Sequence, residues 1–154
     1  MDRNRLLAAG LVRRYHTVPD EGRGQTVAEH SWGVAMLIAT YHPNPSVNLL
    51  KAALNHDLSE SITGDLPATV KWKHPGLTEI VRDIEHDIRV EHGWEVELTL
   101  EEQYWLRACD MLELYLYSER RSNGRDEWSN VVGRAWVYIN NLKREGSWPK
   151  ELVI

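Results

Sequence analysis

The stretch Ser46-Val47-Asn48-Leu49-Leu50-Lys51-Ala52-Ala53-Leu54-Asn55-His56-Asp57-Leu58-Ser59-Glu60-Ser61 decides how the rest of the chain is read. Leu49, Ala52, Ala53 and His56 share one helical stripe, and Leu50, Ala53, Leu54 and Asp57 share the adjoining one. Ser46 suits an N-cap, so the spacing predicts a helix from Val47 to about Ser61 with both His56 and Asp57 turned toward a core. An imidazole and a carboxylate directed inward need a partner there, and the neighbouring segments are searched for it.

Upstream, Thr26 and Glu29 form a capping box that opens a helix to about Tyr41, which Pro43 and Pro45 terminate. Val27, His30, Val34 and Leu37 or Ile38 fall on one face of it, so His30 also points inward. A first short helix covers about Arg3 to Val12, and the loop from Arg13 to Gln25 carries Pro19, Gly22 and Gly24. Downstream, Gly64-Asp65-Leu66-Pro67 is a turn, a short helical piece runs through Trp72, and His74-Pro75-Gly76 breaks the chain. Ile80, Ile84 and Ile88 then repeat every four residues, predicting an amphipathic helix from Leu77 to His92 with that stripe inward and His86-Asp87 on the solvated side. Thr99 and Glu102 make a second capping box before a long helix to about Arg121, ahead of Gly124. A last helix runs from Asp126 to about Leu142 on a stripe of Trp128, Val131, Val132, Ala135, Trp136 and Ile139, and Trp105 and Trp136 are expected in the core. No segment alternates with period two for long enough to argue a sheet. The expected fold is all-α, a single domain over residues 1–154 built as a bundle of about six to seven helices.

Composition agrees. A chain of 154 residues, 42% hydrophobic and 27% charged, can bury enough surface to fold without staples. Its single cysteine, Cys109, forms no internal disulfide and fits a reducing cytoplasm, the host cytoplasm for a phage-encoded protein. The apolar run Leu6-Leu7-Ala8-Ala9 is too short for a signal peptide, and no window approaches a membrane span. A net charge of −5 argues against a duplex-nucleic-acid binder, whose affinity comes from a basic surface. The expected partner is a small molecule, with no membrane and no duplex nucleic acid, and the exposed remainder of the apolar surface points to a homo-oligomer.

The long helix supplies the remaining carboxylate. Leu106, Asp110, Leu114 and Tyr117 align within Ala108-Cys109-Asp110-Met111-Leu112-Glu113-Leu114, which is apolar nearly all round. Burying an ionised aspartate costs several kcal/mol unless it is paired or holds a metal, and here two accompany two histidines. One divalent ion resolves all four. Two neutral imidazoles and two carboxylates balance its charge, and His30, His56, Asp57 and Asp110 would leave two positions of an octahedral shell for water and substrate. His and carboxylate ligands accept Mn, Co, Mg, Zn, Fe or Ni alike. A second ion on the substrate phosphates is left open.

His30, His56-Asp57 and Asp110, in that order on three helices, resemble the H…HD…D signature of the HD phosphohydrolase superfamily. Val27-Ala28-Glu29-His30-Ser31, His56-Asp57-Leu58-Ser59-Glu60 and Thr63-Gly64-Asp65-Leu66-Pro67, with Arg13-Arg14 upstream, are similar to the short HD enzymes acting on 2′-deoxynucleotides. Those include bacterial 5′-deoxynucleotidases and phage dATP triphosphohydrolases. The resemblance covers about Leu11 to Tyr117. It implies that Asp65 positions the attacking water, and that Arg14, whose planar fork suits phosphate, binds substrate. Tyr15 stands where the deoxynucleotidases carry a tryptophan that crowds the sugar 2′ position, so an aromatic ring is kept but its identity differs. Glu60, one turn after Asp57 on the same expected helix, is the candidate general acid/base. Lys71 and Lys73 are candidate cations for the phosphates. His16, His42, His74 and His92, in loops or at helix ends, are expected to have no chemical role.

The function expected is hydrolysis of 2′-deoxynucleotide phosphates by a metal-activated water. The short chain and the cations at Arg13, Arg14, Lys71 and Lys73 favour removal of triphosphate from a dNTP such as dATP. Release of orthophosphate from a dNMP is the alternative. A non-catalytic metal- or nucleotide-binding module and a phosphodiesterase acting on signalling nucleotides are the competing classes.

Overall fold

The computed structural model describes residues 3–18, 24–122 and 126–154; Pro19, Gly22 and Gly124 of the expected loops and stops lie outside them. Among the described residues there are eight helices and no strand: α1 (Arg3–Ala9), α2 (Val27–Tyr41), α3 (Val47–Asn55), α4 (Glu60–Thr63), α5 (Ala68–Lys73), α6 (Pro75–His92), α7 (Leu100–Ser122) and α8 (Asp126–Arg144). The expected all-α class holds. No described helix is long and apolar enough to cross a membrane.

The caps form as their spacing dictates. Thr26 N–H donates to Glu29 Oε2 at 2.8 Å while Glu29 N–H donates to Thr26 Oγ1 at 3.2 Å, and Thr99 with Glu102 repeats the pattern at 2.8 and 3.3 Å. Leu49 N–H donates to Ser46 Oγ at 3.0 Å at the start of α3.

Other boundaries move because backbone groups are claimed from elsewhere in the chain. The helix expected to Val12 stops at Ala9, since the carbonyls of Gly10 and Val12 accept the N–H groups of Ala28 and Val27 at 3.0 and 2.9 Å. The helix expected from Val47 to Ser61 is broken. It ends at Asn55, tight i→i+3 bonds carry the chain through 56–59, and α4 begins at Glu60. Glu60 therefore opens a new helix, and this extra break brings the described helices to eight where about six to seven are expected. Pro75 takes the first position of α6, where its missing N–H costs nothing, so the helix starts two residues before Leu77.

Contacts divide the chain into two compact units, Met1–Ser31 with Leu54–Glu95, and Trp32–Ala53 with Val96–Ile154. In the first, Ala9, Leu58 and Trp94 form a buried cluster against which Leu6 and Ile88 pack. Ile80 and Ile84, expected inward, are exposed; of that stripe only Ile88 reaches the cluster. His86 is solvated as expected and faces Glu95 Oε2 at 3.5 Å. In the second unit, Val34, Ile38, Leu49, Ala53, Trp105, Ala108, Cys109, Leu112 and Leu152 form the core. Trp105 is buried as expected, but Trp136 is half exposed, with one face against Tyr115 at a centroid distance of 5.4 Å.

Gly10 is buried at a close approach, where an added Cβ would lie 2.9 Å from Ala28 Cβ. Gly10→Ala is therefore expected to destabilise the fold by about 1–3 kcal/mol, the usual cost of overpacking. A urea denaturation midpoint equal to that of the wild type would contradict this.

Candidate metal centre

Two arginines in succession meet different fates because of one backbone pairing. Arg13 forms an isolated β-bridge with Thr26, and Arg14 N–H donates to the Gln25 carbonyl at 2.8 Å. The bridge leaves Arg13 outside, where its Nη1 donates to the Gly24 carbonyl at 3.3 Å, and turns Arg14 inward. Arg14 Nη1 donates to Asp57 Oδ2 at 2.5 Å across 43 residues of sequence.

Asp57 is the hub of the first unit's polar cluster. Its Oδ2 lies 3.6 Å from His30 Nε2 and 3.5 Å from His56 Nε2, and these two ring nitrogens face each other at 3.2 Å. His30 is completely buried on α2, as its stripe requires. Burial alone would raise the Asp57 carboxyl, but the combined charges of His56, Arg14 and His30 hold it below the usual carboxylate range. Two imidazole nitrogens and an ionised carboxylate oxygen converging in this way are a donor set of the kind divalent ions take. Asp110, the fourth expected ligand, stands on α7 in the second unit, half-buried beside the fully buried Cys109.

Glu60 reaches this cluster from the first residue of α4. It is buried, and its Oε2 has no hydrogen-bond partner among the described residues. Burial, reinforced by the negative charge of Asp57, pushes its carboxyl up to about 9, so in the metal-free chain it carries a proton at neutral pH.

Asp65 and Tyr15 are joined. Tyr15 has a left-handed backbone, φ 58°, a conformation that costs a non-glycine residue on the order of 1–3 kcal/mol. Its N–H donates to Asp65 Oδ2 at 3.1 Å, and the Arg14 guanidinium carbon lies 5.6 Å from its ring centroid. His16, expected to be idle, also approaches Asp65 Oδ2, with Nδ1 at 3.7 Å.

Of the two lysines, Lys73 is exposed, whereas Lys71 Nζ lies 4.0 Å from Glu85 Oε1. Burial raises the Glu85 carboxyl and Lys71 pulls it back. Glu85 and Arg89 escape the sequence reading, because the α6 stripe marks only apolar positions. Arg89 Nη1 donates to the His56 carbonyl at 3.3 Å.

The family model described as 5′-deoxynucleotidase YfbR-like matches residues 11–123, a span that contains every candidate site residue. No curated protein matches the chain. With a match over most of its length and an all-helical fold, the chain belongs to the YfbR-like 5′-deoxynucleotidase family of the HD-domain superfamily, whose members are metal-dependent phosphohydrolases.

Proposed function

We propose that this protein is a 5′-deoxynucleotidase that hydrolyses deoxynucleoside monophosphates to deoxynucleoside and orthophosphate. The observation that carries this reading is the family match over residues 11–123, with Glu60 buried beside the His30–His56–Asp57 cluster. The cations that favoured a triphosphate are already engaged or exposed. Lys71 faces Glu85 and Arg13 and Lys73 lie at the surface, while Arg14, bonded to Asp57, stands in the cluster where a single phosphate would be met. This arrangement and the 5′-deoxynucleotidase family match favour a monophosphate over a polyphosphate.

In this proposal His30, His56, Asp57 and Asp110 hold one divalent ion. Such an ion, when bound, would acidify a coordinated water and neutralise charge on the phosphoryl oxygens. The chain's own groups do the rest. Arg14 presents a planar fork to the phosphoryl oxygens, a geometry a lysine lacks. Glu60 holds a transferable proton at a buried carboxyl, donates it to the leaving 5′ oxygen and regains one from the attacking water. Asp65 keeps the Arg14-Tyr15 turn in its strained conformation through the Tyr15 N–H, which holds the substrate arginine in register and sets the Tyr15 ring beside the sugar. A water held by Asp65 remains part of the proposal.

Purified protein incubated with each dNMP and each dNTP, with Mn²⁺ or Co²⁺, is expected to release orthophosphate from dNMPs. Release of inorganic triphosphate from a dNTP, with dNMPs untouched, would overturn the monophosphate reading. Turnover of neither, with metal bound, would favour a non-catalytic module.

A further inference from the structure

α3 stops one residue before His56, and the chain at that point is bonded to the far end of α6. Gly93 closes that helix with φ 68°, and the reversal returns the next two residues onto it. Trp94 N–H and Glu95 N–H both donate to the Arg89 carbonyl, at 2.8 and 3.2 Å. Two side chains then bridge to the α3 terminus. Asn55 Nδ2 donates to the Trp94 carbonyl at 3.2 Å, and Arg89 Nη1 donates to the His56 carbonyl at 3.3 Å. Arg89 is itself clamped, since its Nε donates to Glu95 Oε2 at 2.7 Å. Trp94 is packed with Ala9 and Leu58, the latter two residues beyond His56, so this brace is rooted in the first unit's core.

We infer that Arg89 is a positioning residue for His56. Its guanidinium holds the backbone carbonyl at the point where α3 breaks, and so fixes the direction in which the imidazole leaves the chain toward His30. A charged donor on a half-buried carbonyl is stronger than an ordinary amide bond and is poorly replaced by water. The Arg89 guanidinium acts on the His56 backbone carbonyl and on Glu95, so its influence is expected on metal affinity and not on deoxynucleotide binding. This inference rests on His56 being a metal ligand. Outer partners that orient ligands are typically worth about 10–100-fold in affinity or activity.

The test is a Co²⁺ titration followed by the visible ligand-field bands, with steady-state kinetics on a dNMP, for the wild type, Arg89→Ala, Arg89→Lys and Glu95→Gln. Arg89→Ala is expected to bind Co²⁺ about 10–100-fold more weakly with altered bands, while KM for the dNMP stays within about twofold. Arg89→Lys, which restores a cationic donor, is expected to recover part of the loss, and Glu95→Gln to fall between it and the wild type. Wild-type Co²⁺ affinity and bands in Arg89→Ala would overturn the inference, even with a lowered melting temperature. If Arg89→Ala does not fold, unchanged Co²⁺ affinity in Glu95→Gln overturns it instead. A wild type that takes up no Co²⁺ sinks the metal centre and the inference together, whereas normal uptake in both wild type and variants sinks the inference alone.

Discussion

Glu60→Gln is expected to lower kcat on a dNMP by about 10²–10⁴-fold, the range a positioned general acid or base supplies, while leaving Mn²⁺ or Co²⁺ binding intact. The same substitution is expected to stabilise the metal-free protein. Glu60 is held protonated in the fold up to about 9 and ionises near 4.5 when the chain unfolds. Its contribution to stability is complete below 4.5 and is lost progressively as the pH rises toward 9. Gln cannot ionise and escapes that loss. In EDTA the variant should therefore melt roughly 3 °C or more above the wild type at pH 8, with the gap closing at pH 4.5. Loss of activity combined with a gain in stability separates a functional burial from a structural one. A variant that is inactive and also less stable at pH 8 would place Glu60 in the scaffold.

Asp57→Asn carries the second large effect, with the opposite sign in stability. The carboxylate faces Arg14 and both histidines, so its loss removes a proposed metal ligand and leaves the buried Arg14 guanidinium without its anion. Breaking one side of a buried pair costs on the order of 3–5 kcal/mol. Metal affinity is expected to drop by about 10²–10⁴-fold, the same energy expressed as binding, with turnover lost at ordinary metal concentrations. Calorimetric metal titration and a melting curve at pH 7 check both halves. Metal uptake unchanged from the wild type would remove Asp57 from the ligand set.

These two side chains also divide what the sequence makes legible from what it hides. His30 is buried and Asp57 faces it because a helical repeat decides which residues share a face. Glu60 comes near Asp57 by a route other than the one its spacing predicts. Its distance from Asp57 along an unbroken helix suggested reach, but the helix breaks between them, and tight turns bring Glu60 to the cluster at the start of α4.

What the sequence by itself determined is whatever depends on neighbours three or four residues away: the two capping boxes, the all-α class, and the inward face of α2 that buries His30. What only the tertiary structure decided depends on groups dozens of residues apart. The Arg89 donor reaches the His56 carbonyl just past the end of α3, the pairing of Arg13 with Thr26 sends Arg14 to Asp57, and Asp65 holds Tyr15 in a left-handed turn. The exposed Ile80, Ile84 and Trp136 teach the same lesson from the other side. Periodicity fixes which side chains line up together, but burial requires a covering surface, and local spacing carries no information about that surface.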